Sequence, residues 1–199
     1  RGVISQQFRE RFGGGRNPQV YALGIKAVVQ FTGDNPFGNN RVAHTLGYPN
    51  PASVFGGGFI YSLGEKTAAV GLILGLDWKH GDLTPQQEFE RYRAHPFIAK
   101  LLAGSVTIAT GAKTIPEGGW FALGALTASG ALAVGDGAGF VNMEKIKGIH
   151  YGILAGMAAA DTIVEALAAD DTSKAGLAGY RARLETRGVL PDLRHARNY

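Results

Sequence analysis

The chain has 199 residues, 45% of them hydrophobic, and a formal net charge of +4 from 20 basic and 16 acidic side chains. It contains no cysteine, which excludes disulfides, thiolate zinc sites, cysteine nucleophiles and cysteine-ligated iron–sulfur clusters for this chain. Its 30 glycines follow no collagen-like period and point to tight turns and close backbone approaches.

Val3, Ile4, Phe8 and Phe12 recur at near-helical spacing, so residues 1–12 are predicted to form a helix that Gly13, Gly14 and Gly15 stop. Tyr21–Phe31 is rich in β-formers and reads as a strand, followed by a loop over Gly33–Asn39. Arg41–Tyr48 resumes as a strand. Within it His44 reads as a half-buried sheet residue, since no second ligand lies at metal spacing. Gly56, Gly57 and Gly58 run into Phe59–Leu63, a turn follows at Gly64 and Glu65, and Ala68–Asp77 completes the clearest β-hairpin in the chain. Gly71 and Gly75 in that second strand imply the close approach of another backbone, an aromatic ring or a ligand.

Thr84 is placed to cap a helix that Pro85 opens and that runs through Arg93. Pro96 opens a second short helix to Leu102, whose Phe97, Ile98, Leu101 and Leu102 suit either core or lipid. Ser105–Ile115 returns to strand character, and residues 116–120 form a turn. In the later long helix, Ile153, Met157, Ala160, Ile163, Val164 and Leu167 form an amphipathic face. Ala155, Gly156, Ala158 and Ala159 make that helix thin enough to pack on a sheet. A last helix is predicted over Leu177–Leu184, with Tyr180, Arg181 and Arg183 at its surface. Strands early and helices late predict an α+β, or mixed α/β, architecture. The divisions are an N-terminal helix and linker over residues 1–19, a sheet-rich part over 20–118, and a strand, glycine turn and helices over 119–199.

Basic residues gather at the two ends, from Arg1 to Arg16 and from Arg181 to Arg197. They suit a solvated helix face, an anionic membrane surface or an acidic partner. No aromatic-interleaved basic patch accompanies them, so nucleic acid is not an expected partner. No apolar run reaches the roughly 18 residues of a spanning helix without interruption, and no signal peptide is evident. The initial Arg1 reads as a processed product, a cut domain or a fragment. No nucleophile elbow, metal cluster or paired-carboxylate signature points to a hydrolase; Asp77 and Glu88 read as turn and helix-surface acids.

The stretch richest in chemistry is Gly130–Gly156. A short apolar strand over Ala131–Val134 breaks into a glycine-rich turn at Gly135, Asp136, Gly137 and Gly139, and a helix follows. Glycines let backbone N–H groups approach an anionic or polyhydroxylated ligand, an acid there can accept hydroxyl hydrogens, and a helix start favours negative charge. The same order is also a common way to connect a strand to a helix.

The segments RVAHTLGYP, FGGGFIYSL, GLILGLDW, LTPQQEFERYRAHPFI, GAKTIPEGGW and AVGDGAGFVNMEKIKGIHYGILAGMAAADTI, in that order, resemble the electron-transfer flavoprotein–ubiquinone oxidoreductase family from about Asn17 to Tyr199. The most specific pieces are GFVNMEKIKG at Gly139–Gly148 and FGGGF at Phe55–Phe59. The resemblance implies a flavoenzyme that takes electrons from reduced electron-transfer flavoprotein and delivers them through FAD to ubiquinone. It would lie peripherally on an inner membrane, bacterial cytoplasmic or mitochondrial. An antiparallel-rich quinone domain would be followed by the closing strand, glycine turn and helix of an FAD-binding domain. By the same resemblance Gly135, Asp136, Gly137 and Gly139 pack on the FAD ribityl and pyrophosphate, and Phe140, Val141 and Asn142 lie beside the flavin ring. Gly56 and Gly57 meet the quinone head group, with Phe59 in the pocket wall. A quinone carbonyl needs only a donor N–H in an apolar slot, so no acid–base residue and no metal site are expected.

The family also implies parts that are not in this sequence. Its opening GxGxxG fold has no counterpart, because GDGAG at Gly135–Gly139 has another spacing, and its four-cysteine [4Fe–4S] part has none either. Some relatives carry cysteine where Asp136 stands. These 199 residues alone are therefore expected neither to hold FAD tightly nor to turn over. Two other readings are an FAD-dependent reductase of an apolar lipid, resembling the geranylgeranyl reductases, and a non-catalytic membrane or protein interaction module. FGGGF together with PEGGW favours the quinone enzyme.

Overall fold

A computed structural model describes residues 3–199; the first two residues of the predicted N-terminal helix lie outside the described residues. The chain divides into two compact units, one spanning Tyr21–Ile115 and the other assembled from the residues up to Val20 together with Pro116–Tyr199.

The Tyr21–Ile115 unit is built on a sheet of five strands in the order β2-β3-β4-β1-β5. The strands are β1 (Tyr21–Phe31), β2 (Val42–Thr45), β3 (Gly56–Ser62), β4 (Thr67–Gly75) and β5 (Ser105–Pro116). The predicted hairpin is β3–β4, with Phe59 opposite Gly71, and β1 lies antiparallel to β4 with Ile25 opposite Leu72. Alternation along β1 sends Ile25, Ala27, Val29 and Phe31 to one face, where they meet Ile60, Leu72 and Leu74. Helices α2 (Pro85–Ala94) and α3 (Pro96–Leu102) close that face with Phe89, Tyr92 and Ile98. Each such side chain contributes about 1.5–3 kcal/mol on full burial. Both helices start at the prolines that signal them, and the His95 ring nitrogen accepts the Phe97 N–H at the second start.

Three expectations for this unit are corrected. The strand predicted over Arg41–Tyr48 shrinks to Val42–Thr45, because Gly47 turns the chain at φ +83°. His44 is exposed on the sheet face away from the helices, where it bonds the Tyr61 hydroxyl at 3.2 Å. Glu88 is buried rather than on the surface, holding Arg91 at 2.9 and 3.1 Å.

The second unit contains α1 (Val3–Phe12), a 3₁₀ turn at Trp120–Ala122, the short pair β6 (Thr127–Ala128) and β7 (Ala131–Leu132), and α4 (Gly135–Ala138). Helices α5 (Ile149–Ala168), α6 (Gly179–Thr186) and α7 (Val189–His195) complete it. Gly13, at φ +110°, ends α1 by donating to the Arg9 carbonyl. The core gathers Leu126, Phe140, Tyr151, Ala155, Ala158, Tyr180, Leu184, Leu190 and Leu193.

Here the sequence reading is corrected in several places. Helix α5 does pack through its small residues, burying Ala155, Ala158, Ala159, Thr162 and Ala166, but against helices rather than the expected sheet, while Ile153, Val164 and Leu167 of the amphipathic face are exposed within the unit. Alanines let α6 approach closely, and that approach buries Tyr180 completely instead of leaving it at the surface. Burial pushes the Tyr180 phenol pKa up, and its hydroxyl donates to the Ala133 carbonyl at 2.9 Å. We expect Tyr180→Phe to lower stability by about 1 kcal/mol in chemical denaturation, because the carbonyl loses its donor. Helix α5 is long and apolar enough to span a bilayer by length and composition, with mean hydropathy 1.3, while Gly152, Gly156, Asp161 and Glu165 interrupt its apolar run, as expected from the sequence.

Candidate functional site

Along β3 the three consecutive glycines answer to three different neighbours. A Cβ on Gly56 would collide with the Ile73 carbonyl on β4 and stand 2.8 Å from Asn50 Nδ2; φ there is +141°. One on Gly57 would collide with the Thr45 carbonyl on β2, and one on Gly58 would enter the Tyr92 ring. Tyr92 is 2% exposed, accepts a hydrogen bond from Thr45 Oγ1 at 3.2 Å, and has its phenol pKa raised by burial. Sequence reasoning did not single out Tyr92, although a strand glycine opposite an aromatic-bearing helix was the available signal.

The β2–β3 ladder ends at Thr45 opposite Gly58, so no strand flanks β3 on that side at Gly56. Ser62 donates to Arg41 on the β2 side, whereas the Phe55 carbonyl accepts from Gly75 on the β4 side. Alternation therefore turns the Gly56 N–H toward the uncovered edge. Beside it Asn50 is buried; its Nδ2 donates to the Ile73 carbonyl at 3.1 Å, and its Oδ1 has no partner. Phe59 lies on the sheet face away from the helices, over Gly71 and 4.9 Å from the Tyr61 ring centroid. It lines a cavity of about 330 Å³ with Gly24, Lys26, Ile73, Lys113 and Ile115. One strand thus carries all three proposed quinone residues, while Tyr92 and Phe59 occupy opposite faces.

In the second unit the predicted glycine-rich turn takes the form of the single helical turn α4, closed by Gly139 at φ +87°, and the Phe140 N–H returns to the Gly135 carbonyl. The preceding strand is cut to Ala131–Leu132. Gly135, at φ +55°, faces Gly152 of α5, and a Cβ there would lie 3.6 Å from the Gly152 Cα. Asp136 leans toward Gly148, and Gly139 lies against Gln19 Nε2. Gly137 borders a cavity of about 200 Å³ lined by Ser5, Phe8, Arg9, Gly124 and Leu132. Arg9 is fixed there by donating to the Ala122 carbonyl at 2.6 Å. Of the four residues predicted to meet FAD, Gly137 lines this cavity and Gly135, Asp136 and Gly139 do not; its wall is mostly apolar, with Ser5 and Arg9 as the polar side chains that could meet a short hydroxylated or anionic part of a larger ligand.

Phe140, Val141 and Asn142 are buried, with exposures of 0%, 7% and 1%, so their side chains belong to the core. Asn142 Oδ1 accepts the Lys145 N–H at 3.0 Å, and Nδ2 donates to the Tyr151 hydroxyl at 3.2 Å. The Tyr151 hydroxyl and Lys145 Nζ both donate to Asp192 Oδ2, at 2.9 and 2.5 Å. Lys145, followed by Tyr151, holds the Asp192 carboxyl below its ordinary range, while burial, reinforced by Asp192, raises the Tyr151 phenol. Neither Tyr151 nor Asp192 was legible as part of this arrangement, since 41 residues separate them.

Residues 21–115, the bounds of the sheet unit, match the family described as ETF-QO, ubiquinone-binding. The probable mitochondrial electron transfer flavoprotein–ubiquinone oxidoreductase of Schizosaccharomyces pombe is 39% identical over 99% of this chain and 32% of its own length. The mitochondrial protein of that name from Homo sapiens is 35% identical over 99% of this chain and 33% of its own. The chain therefore spans about a third of the length of these relatives. Among solved structures, a geranylgeranyl bacteriochlorophyll reductase-like protein from Thermoplasma acidophilum superposes with a TM-score of 0.72 at 20% identity, over 90% of this chain and 42% of that one. A triple mutant of the flavin-dependent brominase Bmp2 gives 0.65 at 14% identity, over 94% and 46%. These two likenesses bear on the fold alone and agree with a mixed α+β architecture. On the sequence matches, the chain belongs to the electron-transfer flavoprotein–ubiquinone oxidoreductase family.

Proposed function

We propose that this chain serves an oxidoreductase that passes electrons from reduced electron-transfer flavoprotein, through FAD, to ubiquinone. The observation that carries this reading is the coincidence of an independent compact unit with the ubiquinone-binding family match over the same residues. In it the Gly56 N–H, turned to the uncovered edge of β3, donates to a quinone carbonyl. Gly57 lets the strands close up behind it, and Phe59 supplies apolar wall. The Gly135–Gly139 turn, with Asp136 and Arg9, holds the ribityl and pyrophosphate portion of FAD, and the main chain at Phe140, Val141 and Asn142 flanks its ring. Bound FAD would supply the electron-carrying chemistry; no side chain of this chain is assigned a proton-transfer role. Residues 20–118 act as the quinone domain and 119–199 as the closing part of the FAD domain.

Peripheral attachment to an inner membrane is part of the proposal. It is supported by the exposed Leu46, Phe55 and Phe97 of the sheet unit and by the mitochondrial names of the relatives. The test is reduction of a short-tailed ubiquinone by reduced electron-transfer flavoprotein with the full-length protein. Turnover is expected. Flavin reduction without quinone turnover, coupled to saturation of a prenyl lipid, would overturn the reading in favour of the lipid reductase. Absence of any flavin in the full-length protein would overturn both. The 199 residues alone are expected to purify without stoichiometric flavin, checked by an absorbance scan.

A further inference from the structure

We infer that Asp192 on α7 is a positioning residue for the segment 139–148, so that the last helix sets how that segment meets a bound flavin; the inference rests on the flavin reading above. The segment turns the side chains of Phe140, Val141 and Asn142 into the core. What it presents outward is therefore main chain, whose placement depends on how the loop behind it is closed.

That closure is made by three elements converging on one carboxylate. Asn142 and Lys147 exchange main-chain hydrogen bonds at 2.8 and 3.1 Å, pinching residues 143–146 into a small loop. The loop forces Ile146 to φ +53°, a conformation β-branched residues rarely adopt. Such strain persists only where surrounding contacts over-determine it. Those contacts are the Asn142 side chain, which holds the Lys145 N–H and the Tyr151 hydroxyl, and Asp192, which holds Lys145 Nζ and that same hydroxyl. The Asp192 main-chain carbonyl also accepts from Asn142 Nδ2 at 3.4 Å.

The Lys145–Asp192 pair is itself exposed, at 47% and 42% of side-chain surface, so its worth to global stability is small. Its geometric effect on the loop is larger, because among the described residues it is the one side-chain tie from Lys145 across to α7; without it the loop is held by the Asn142 side chain and by the main-chain bonds of Asn142 with Lys147 and of Ile146 with Met143. Positioning and stability are therefore separable by experiment.

The test uses Asp192→Ala, Asp192→Asn and Lys145→Met in the full-length, flavin-loaded protein. FAD dissociation and the flavin midpoint potential are measured alongside thermal unfolding and amide exchange. Asp192→Ala is expected to weaken FAD binding about tenfold, by analogy with the roughly 10–100-fold that outer hydrogen-bond partners are worth at metal sites. The midpoint potential should move while the unfolding temperature stays close to wild type. Asp192→Asn keeps an oxygen for Tyr151 and Lys145 and is expected to recover most of the affinity. Wild-type FAD affinity and potential in Asp192→Ala would overturn the inference, as would losses that only track the unfolding temperature across all three variants. If the wild type holds no FAD, the flavin reading falls separately. The positioning claim then stands or falls on the amides of Asn142 and Lys147, which must exchange faster in Asp192→Ala. Should that variant not fold, Lys145→Met must show the same exchange change in weaker form, and unchanged exchange there overturns it.

Discussion

Replacing Gly56 with alanine is expected to lower the stability of the Tyr21–Ile115 unit by about 3 kcal/mol and to eliminate quinone reduction at the same time. Two costs add at this position. The backbone lies at φ +141°, which an L side chain strains to adopt, and the new methyl would be driven into the Ile73 carbonyl. That carbonyl is main chain within the β3–β4 ladder and already receives Asn50 Nδ2, so it has little room to yield. The only relief is to part the strands at this end, which displaces the Gly56 N–H that the proposed site depends on. Chemical denaturation reports the first effect, and steady-state quinone reduction at a temperature where the variant is still folded reports the second. Wild-type turnover in a folded Gly56→Ala protein would mean that the head group binds elsewhere.

Truncating Tyr92 to alanine should cost about 3–5 kcal/mol, the range for removing a fully buried aromatic side chain. Its ring occupies the place where a Cβ on Gly58 would stand, and its hydroxyl is the acceptor for Thr45 on the edge strand. Gly58→Ala alone should cost about 1–3 kcal/mol through overpacking. In the Tyr92→Ala background the same change should cost close to nothing, since the obstructing ring has gone. A double-mutant cycle by urea denaturation measures that coupling directly. Additive costs would show that the ring moves aside freely and that Gly58 is tolerated for some other reason.

How far each feature could be read from the sequence depended on how local its cause is. The β3–β4 hairpin follows from period-two alternation with glycines on both strands, and α2 and α3 from Pro85 and Pro96, all determined within a few residues. The resemblance carried by FGGGF and GFVNMEKIKG located the candidate segments but not the orientation of their side chains. Asn142 illustrates the limit: its amide is spent on Tyr151 and on the Asp192 main chain, a partner 50 residues away. The small residues of α5 were legible as a close-packing side, but their partner was not: they were expected to meet a sheet, and helix α6 packs there instead. Helix α7 has seven residues with Pro191 in its first turn, too short for a helical period to show. Tyr180 and Glu88 were assigned to the surface by residue type, and both are buried by tertiary neighbours.

The three glycines of β3 also bear on how a motif should be interpreted. Each is required by a different protein atom: a carbonyl from one neighbouring strand, a carbonyl from the other, and a tyrosine ring from the helix layer. A search pattern written around this run would therefore retrieve any protein whose strands and helices crowd one another in the same way, whether or not it handles a quinone. On the proposed reading, what matters for a quinone is instead what the run leaves uncovered, the Gly56 main-chain N–H past the end of a short edge strand. That property depends on strand lengths, not on glycine count, so if the proposed site is right, the point at which the edge strand stops is a better guide to it than the glycines themselves.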